Sequence, residues 1–158
     1  MNIARVGKHE VACELLSRAI ELYLRGDSYY SAIHLAGAAE EVLAVLVRNL
    51  PTESGESDKA PIDHMKAAIV AFSSPTTTEE ANQIENWAYN RMTVAKNSVK
   101  HMRGLRDGGV DFDPVEEAGD IVDRAISTYF QLGNRIRLPL VSRIAEFDAA
   151  HRAPPGGE

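Results

Sequence analysis

The stretch of sequence that decides the fold is residues 27–49, DSYYSAIHLAGAAEEVLAVLVRN. Its apolar residues recur at three- and four-residue steps, which is the spacing of an α-helix. Because they cover more than one face, the stretch predicts a central helix that packs on nearly every side. Asp27 or Ser28 is placed to cap its start, since both side chains accept hydrogen bonds from free backbone N–H groups. Gly37 lies among alanines and costs a helix about 1 kcal/mol relative to alanine, which indicates a close contact with a neighbouring helix.

Most of the remaining chain has the same helical spacing. Further helices are predicted over residues 3–25, 61–72, 79–103, 114–132 and 139–150, with polar, breaker-rich loops between them. Gly26 suits the end of the first helix, and Pro61 and Pro114 suit the first positions of two others. No stretch alternates as a strand does. The sequence therefore predicts an all-α, up-and-down bundle of about five to six helices, one domain over residues 1–150 and a disordered tail over 151–158.

The composition narrows the class of protein. The chain has 17 Lys and Arg against 23 Asp and Glu, a formal net charge of −6. This excess of acidic residues argues against non-specific binding along nucleic acids, because such binding needs Lys and Arg side chains to neutralise phosphates. Cys13 is the only cysteine, so no intrachain disulfide and no cysteine-based zinc site can form. Without a signal-peptide pattern or a long uninterrupted apolar run, we expect a cytoplasmic protein that does not engage a membrane.

The common motifs for metals, phosphates and nucleophiles are absent. A di-iron bundle needs Glu-x-x-His pairs on two helices, and the sequence has none. It also has no His-Glu-x-x-His, no phosphate loop, no Gly-x-Gly-x-x-Gly and no Gly-x-Ser-x-Gly. We therefore predict neither a metal site nor a cofactor.

The fourth predicted helix carries a local excess of positive charge. No acidic residue interrupts residues 91–106, which contain Arg91, Lys96, Lys100, Arg103 and Arg106. The segment is either a patch that faces phosphate groups, or a solvated face, or the partner of acidic residues on the second and fifth helices. A polar stripe runs along the same helix and comprises Asn86, Asn90, Thr93, Asn97 and His101. No aromatic side chain falls on this patch, so base stacking is not indicated.

Three polar side chains stand out on the central helix. Glu40 and Glu41 are flanked by small and aliphatic residues, and His34 lies on the same face as Glu41. A carboxylate in such a setting needs a partner, an opening to solvent or a shifted pKa. One reading places one glutamate in solvent and the other in a structural ion pair. The concentrated supply of cations in residues 91–106 predicts that the second and fourth helices pair.

The central stretch resembles the second helix of HEPN domains (higher eukaryotes and prokaryotes nucleotide-binding). That helix carries Tyr-Tyr-x-Ala-x-x-x-Ala-x-x-Ala-x-Glu ahead of leucine-rich turns and a loop. The same pattern runs here from Tyr29 to Glu41. The resemblance implies a HEPN-like bundle that forms a homodimer and interacts with RNA or a nucleotide, in a defence or toxin–antitoxin setting.

HEPN ribonucleases also carry an Arg, often followed by Asn, four to six residues before a His. Here Lys96-Asn97-Ser-Val-Lys-His101 has that spacing, but Lys replaces Arg and lacks its bidentate fork. The resemblance implies proton transfer by His101, stabilisation of phosphate charge by Lys96, and orientation of that cation by a glutamate. The predicted site comprises catalytic Lys96, Asn97 and His101, and ligand-binding Arg91, Lys100, Arg103, Glu40, Glu41 and His34.

Three functions follow as hypotheses. The leading one is a HEPN-like protein that interacts with RNA or a nucleotide. The second is a metal-independent endoribonuclease that uses Lys96 and His101. The third is a non-catalytic helical dimer that acts as a protein-interaction module.

Overall fold

The computed structural model describes residues 5–52, 55–101 and 108–152. These residues form six α-helices and no strand, so the predicted all-α bundle is confirmed. The helices are α1 (Lys8–Arg25), α2 (Tyr29–Asn49), α3 (Pro61–Ser73), α4 (Thr78–Ser98), α5 (Pro114–Gly133) and α6 (Ile144–His151).

A tight turn joins α1 to α2 and makes them antiparallel neighbours. Gly26 ends α1 with a left-handed φ of 67°, which favours glycine because it has no Cβ. Ser28 then caps α2, since its Oγ accepts a hydrogen bond from the Ser31 N–H at 3.3 Å. Both assignments agree with the predicted helix ends. The predicted start of α1 at residue 3 is wrong, because the carboxylate of Glu10 accepts the Gly7 N–H at 2.7 Å and holds Gly7 ahead of the helix.

Helix α2 is the central element, as predicted. It buries residues on several faces and packs most extensively on α1 and α5. By length and composition α2 is apolar enough to cross a membrane, and half of the relevant window is buried inside the fold. Its buried residues are Ala32, Ile33, Ala36, Gly37, Ala39, Glu40, Leu43, Ala44 and Val47.

Helix α5 runs parallel to α2. The side chain of Glu40 contacts Arg124. Near the end of α2, the Val47 carbonyl accepts a hydrogen bond at 2.9 Å from Nη1 of Arg135, which lies two residues past the end of α5. These two contacts lie in the same order along both segments, as parallel neighbours require.

Helices α3 and α4 form an antiparallel hairpin at the side of this core. An ion pair between Lys66 and Glu85 at 3.1 Å connects the two helices. Helix α4 meets α2 at Gly37, where an added Cβ would lie 3.1 Å from the Lys96 Cβ and 3.2 Å from its Cδ. The predicted close contact at Gly37 is therefore confirmed, and it brings the Lys96 side chain against α2.

The predicted extent of α4 to residue 103 is wrong. The helix ends at Ser98, and His101 lies beyond it in non-helical backbone. The predicted polar stripe is also interrupted, because Thr93 is buried and its hydroxyl donates to the Tyr89 carbonyl at 2.8 Å. The polar groups before and after Thr93 therefore do not form one continuous surface.

Helix α6 starts at Ile144 rather than at residue 139. The Tyr129 hydroxyl donates to the Pro139 carbonyl at 3.1 Å and accepts the Val141 N–H at 3.4 Å, which holds this segment outside a helix. The predicted tail starts too early, because His151 is the last residue of α6 and stacks on Phe147. Residues 153–158, most of that tail, lie outside the described residues.

Candidate functional site

The polar centre of the fold is the carboxylate of Glu40, whose side chain is only 2% exposed. Its Oε1 accepts a hydrogen bond from Arg124 Nε at 2.7 Å. Its Oε2 lies 3.4 Å from both Arg124 Nη2 and Lys96 Nζ. One buried carboxylate is thus shared by two buried cations from α5 and α4, which compensates for the cost of removing it from water.

The neighbouring Glu41 lies at the surface end of the same cluster. Its Oε1 is 3.2 Å from Lys96 Nζ and 3.4 Å from Lys100 Nζ. Burial alone raises the pKa of Glu41, but the charges and hydrogen bonds of the two lysines outweigh it and lower the pKa overall. The pairing of the α2 glutamates with cations of residues 91–106 is therefore confirmed. We call Glu40, Glu41, Lys96, Lys100 and Arg124 the ion network.

Lys96 is held within this network rather than displayed on the surface. Its side chain is 4% exposed, and its ammonium lies between two carboxylates. A phosphate could reach this ammonium only if it displaced one of them. The predicted contact of Lys96 with RNA phosphate therefore conflicts with its position, and the structure gives Lys96 a packing and charge-balancing part.

Lys100 is placed differently. The ion network contains two carboxylates and three cations, a formal excess of one positive charge. Glu41 is already held by Lys96 at a shorter distance than by Lys100. Lys100 can therefore turn to another anion without leaving a carboxylate unpaired.

Lys100 also lines a cleft of about 710 Å³ at the start of α2, which we call the Tyr30 cleft. Its wall includes the Tyr30 ring, which is half exposed and contacts Phe112 edge to face at a centroid distance of 6.3 Å. The His101 N–H donates to the Asn97 carbonyl at 3.0 Å, which fixes His101 just past α4. The residues that line the cleft are Tyr30, Ser98, Val99, Lys100, His101 and 108–110.

The other predicted site residues do not join this cleft. Arg91 pairs with Glu117 of α5 at 3.0 Å, which agrees with the reading that acidic residues neutralise part of the basic segment. Asn97 is half-buried, and His34 is exposed one helical turn after Tyr30. Arg103 lies outside the described residues. The structure thus brings Lys100 and His101 together and leaves Arg91 and His34 outside the cleft.

Sequence reasoning missed Arg124 and Tyr30. Arg124 interrupts an apolar run between residues 121 and 126, and a charge in such a run signals a buried partner. Tyr30 is far from the basic segment along the chain, so the sequence does not reveal that the two lie at one cleft. The expectation that no aromatic ring accompanies the basic patch is wrong for this cleft.

The residues that line the Tyr30 cleft suit a polar ligand. Among the described residues, no group of three His, Cys, Asp or Glu side chains is placed to hold a metal ion. A tyrosine, a lysine and a histidine line the Tyr30 cleft, and these residue types suit a flat ring that carries an anionic group. Comparisons with protein-family models, curated proteins and solved structures give no match to this chain.

Proposed function

We propose that the protein is a HEPN-like helical protein that binds RNA or a nucleotide in the Tyr30 cleft. The observation that carries the proposal is the meeting of Tyr30, Lys100 and His101 at one cleft. An exposed aromatic ring stacks on any base, which contributes about 1–3 kcal/mol. An ammonium and an imidazole supply donors for the adjoining phosphate.

The ion network supports the same proposal. Its excess positive charge lies on a fold whose overall charge is −6. The cation next to the cleft is Lys100, whose carboxylate partner has Lys96 as a second partner. An incoming phosphate therefore replaces one partner of Lys100 and costs the network little.

The endoribonuclease alternative has less support. It needs Lys96 at the reacting phosphate, and Lys96 is buried between Glu40 and Glu41. His101 is exposed and can reach a ligand in the cleft. We therefore propose that the protein binds RNA or a nucleotide without cleaving it.

Lys100→Gln is expected to weaken RNA binding about tenfold or more, because a charge-assisted hydrogen bond contributes about 1.5–3 kcal/mol. Tyr30→Leu is expected to weaken it several-fold through the loss of stacking. The measurement is fluorescence anisotropy of a fluorescein-labelled single-stranded RNA of about ten nucleotides, with unlabelled adenosine monophosphate as a competitor. Competition at low concentration indicates a nucleotide site, and its absence indicates a polymer site.

The matched control is Lys8→Gln, which removes an exposed lysine at the start of α1, at the opposite end of the α1–α2 hairpin from Tyr30. Equal binding by the Lys8 and Lys100 variants would reject the proposed site. The same RNA is incubated with chelator and run on a gel. Cleavage by the wild type but not by His101→Ala would favour the endoribonuclease alternative instead.

A second candidate function is that of a helical homodimer. The α3–α4 hairpin exposes Phe72 at 90% and Trp87 at 61%. Gln83 and Asn90 lie on the same exposed face of α4 as Trp87. Aromatic residues favour interfaces, and amides carry both donors and acceptors, so one patch can pair with its own copy about a two-fold axis. We propose this face as the contact between two copies.

Trp87→Glu is expected to convert the dimer to a monomer, because the substitution places like charges against each other at a two-fold contact. Sedimentation equilibrium up to about 100 μM protein measures the mass. Phe130→Glu, which adds a charge at another exposed aromatic residue on α5, serves as the control and should stay dimeric. A monomeric wild type, or a dimer that survives Trp87→Glu, would contradict this assignment.

A further inference from the structure

A second cleft, separate from the Tyr30 cleft, lies between α3, α4 and α5. Its volume is about 510 Å³. Pro61, Met65 and Met92 give it an apolar wall, and α5 supplies acidic side chains and Arg124. We call it the Arg124 cleft.

One donor of the cleft is incompletely used. Arg124 Nε and Nη2 bond to Glu40, and Nη2 also donates to the Met92 carbonyl at 3.1 Å. Nη1 makes no hydrogen bond to any described residue. No fully buried nitrogen or oxygen of a described side chain lacks a partner, so Nη1 retains some exposure to solvent. The Arg124 side chain is one of those that line the cleft. The Arg124 side chain is 6% exposed, and Nη1 is its one nitrogen without an acceptor among the described residues.

The charges around this donor favour a cation. Glu117 is neutralised by Arg91 at 3.0 Å. Asp123 has no ion-pair partner in the described part of the chain. Among the described residues, the ion-pair contact of Asp120 is with His151 Nε2 at 3.9 Å. Two carboxylates in the cleft therefore lack a permanent cationic partner.

We propose that the Arg124 cleft binds an amino acid with a basic side chain. The ligand carboxylate accepts from Arg124 Nη1, and its two ammonium groups pair with Asp120 and Asp123. The aliphatic stem lies against Met65 and Met92, as long basic side chains do on apolar surfaces. Such a ligand supplies one carboxylate for Arg124 Nη1 and one ammonium group for each of Asp120 and Asp123.

Three related probes test the proposal by isothermal titration calorimetry on the full chain. L-lysine carries all three groups, cadaverine lacks the carboxylate, and L-norleucine lacks the side-chain ammonium. We expect L-lysine to bind about tenfold more tightly than either other probe, because each lost charge-assisted bond contributes more than 1.4 kcal/mol. No binding of L-lysine up to about 10 mM would overturn the proposal.

Two variants locate the site. Asp123→Asn and Asp120→Asn remove carboxylates near the surface and are each expected to weaken L-lysine binding about fivefold or more. Glu14→Gln on α1 removes an exposed carboxylate elsewhere and should leave it unchanged. Binding of cadaverine as tight as that of L-lysine would show a plain acidic surface and overturn the part assigned to Arg124. Equal affinity in all three variants would place the ligand elsewhere and overturn the proposed site.

Discussion

Replacement of Glu40 by glutamine is expected to lower the free energy of unfolding by about 3–5 kcal/mol, the usual cost of breaking a buried ion pair. The change keeps the size of the side chain and removes its charge. Lys96 and Arg124 would then be buried without their shared anion. Urea denaturation followed by circular dichroism measures the loss.

The matched control is Glu41→Gln at the next residue. Glu41 is half exposed, and exposed ion pairs contribute only about 0–1 kcal/mol. The triple variant Glu40→Leu, Lys96→Met and Arg124→Met removes every buried charge of the network, and we expect it to recover most of the stability. A loss in Glu40→Gln no larger than that in Glu41→Gln would contradict the central position of Glu40.

Replacement of Phe147 by alanine is expected to lower the free energy of unfolding by about 3–5 kcal/mol. Phe147 is fully buried on α6 and meets the Tyr23 ring at a centroid distance of 5.0 Å and the His151 ring at 5.2 Å. Its removal leaves a cavity where α6 packs on α1 and α5. Thermal and urea unfolding measure the change.

Phe130→Ala is the control, since this phenylalanine is 54% exposed and should lose much less stability. Gly119 lies under the same contact, where an added Cβ would clash with the His151 ring. A Phe147→Ala variant as stable as Phe130→Ala would mean that α6 does not contribute to the core.

Much of the fold follows from local chemistry. Ser28, Gly26 and Pro61 mark helix ends by rules that act within one turn, and the structure has all three at those positions. Gly37 marks a helix contact because an unfavoured residue inside a helix needs a reason from packing. These signals depend on near neighbours, and a single sequence contains them.

The wrongly predicted helix ends lie where residues distant in the sequence decide where a helix stops or starts. No glycine or proline ends α4 before Gly104, so its end at Ser98 could not be read from spacing. The segment ahead of α6 is held by Tyr129, a residue of another helix. Helical propensity is a weak prior that such contacts override.

The candidate site was predictable in part for the same reason. The need of Glu40 and Glu41 for cations could be stated from their apolar neighbours. Lys96 near the end of α4 and Lys100 just past it supply two of those cations. Which of the two lysines is buried could not be stated, because Gly37 of α2 decides it by admitting the Lys96 stem. The residues Lys96 and Lys100 lie one turn apart, yet the fold buries one and leaves the other beside a cleft.

The central claim is that the fold buries Lys96 within the ion network and leaves Lys100 able to bind a ligand. The Glu41→Gln variant tests this claim most directly. The substitution removes a carboxylate 3.4 Å from Lys100 Nζ. In the same RNA titration, we predict binding about threefold tighter than that of the wild type, since an exposed pair contributes up to about 1 kcal/mol. Glu14→Gln, which removes an equal charge from α1, should change the affinity less. Binding that is weaker than the wild type, or no tighter than that of Glu14→Gln, would contradict the claim.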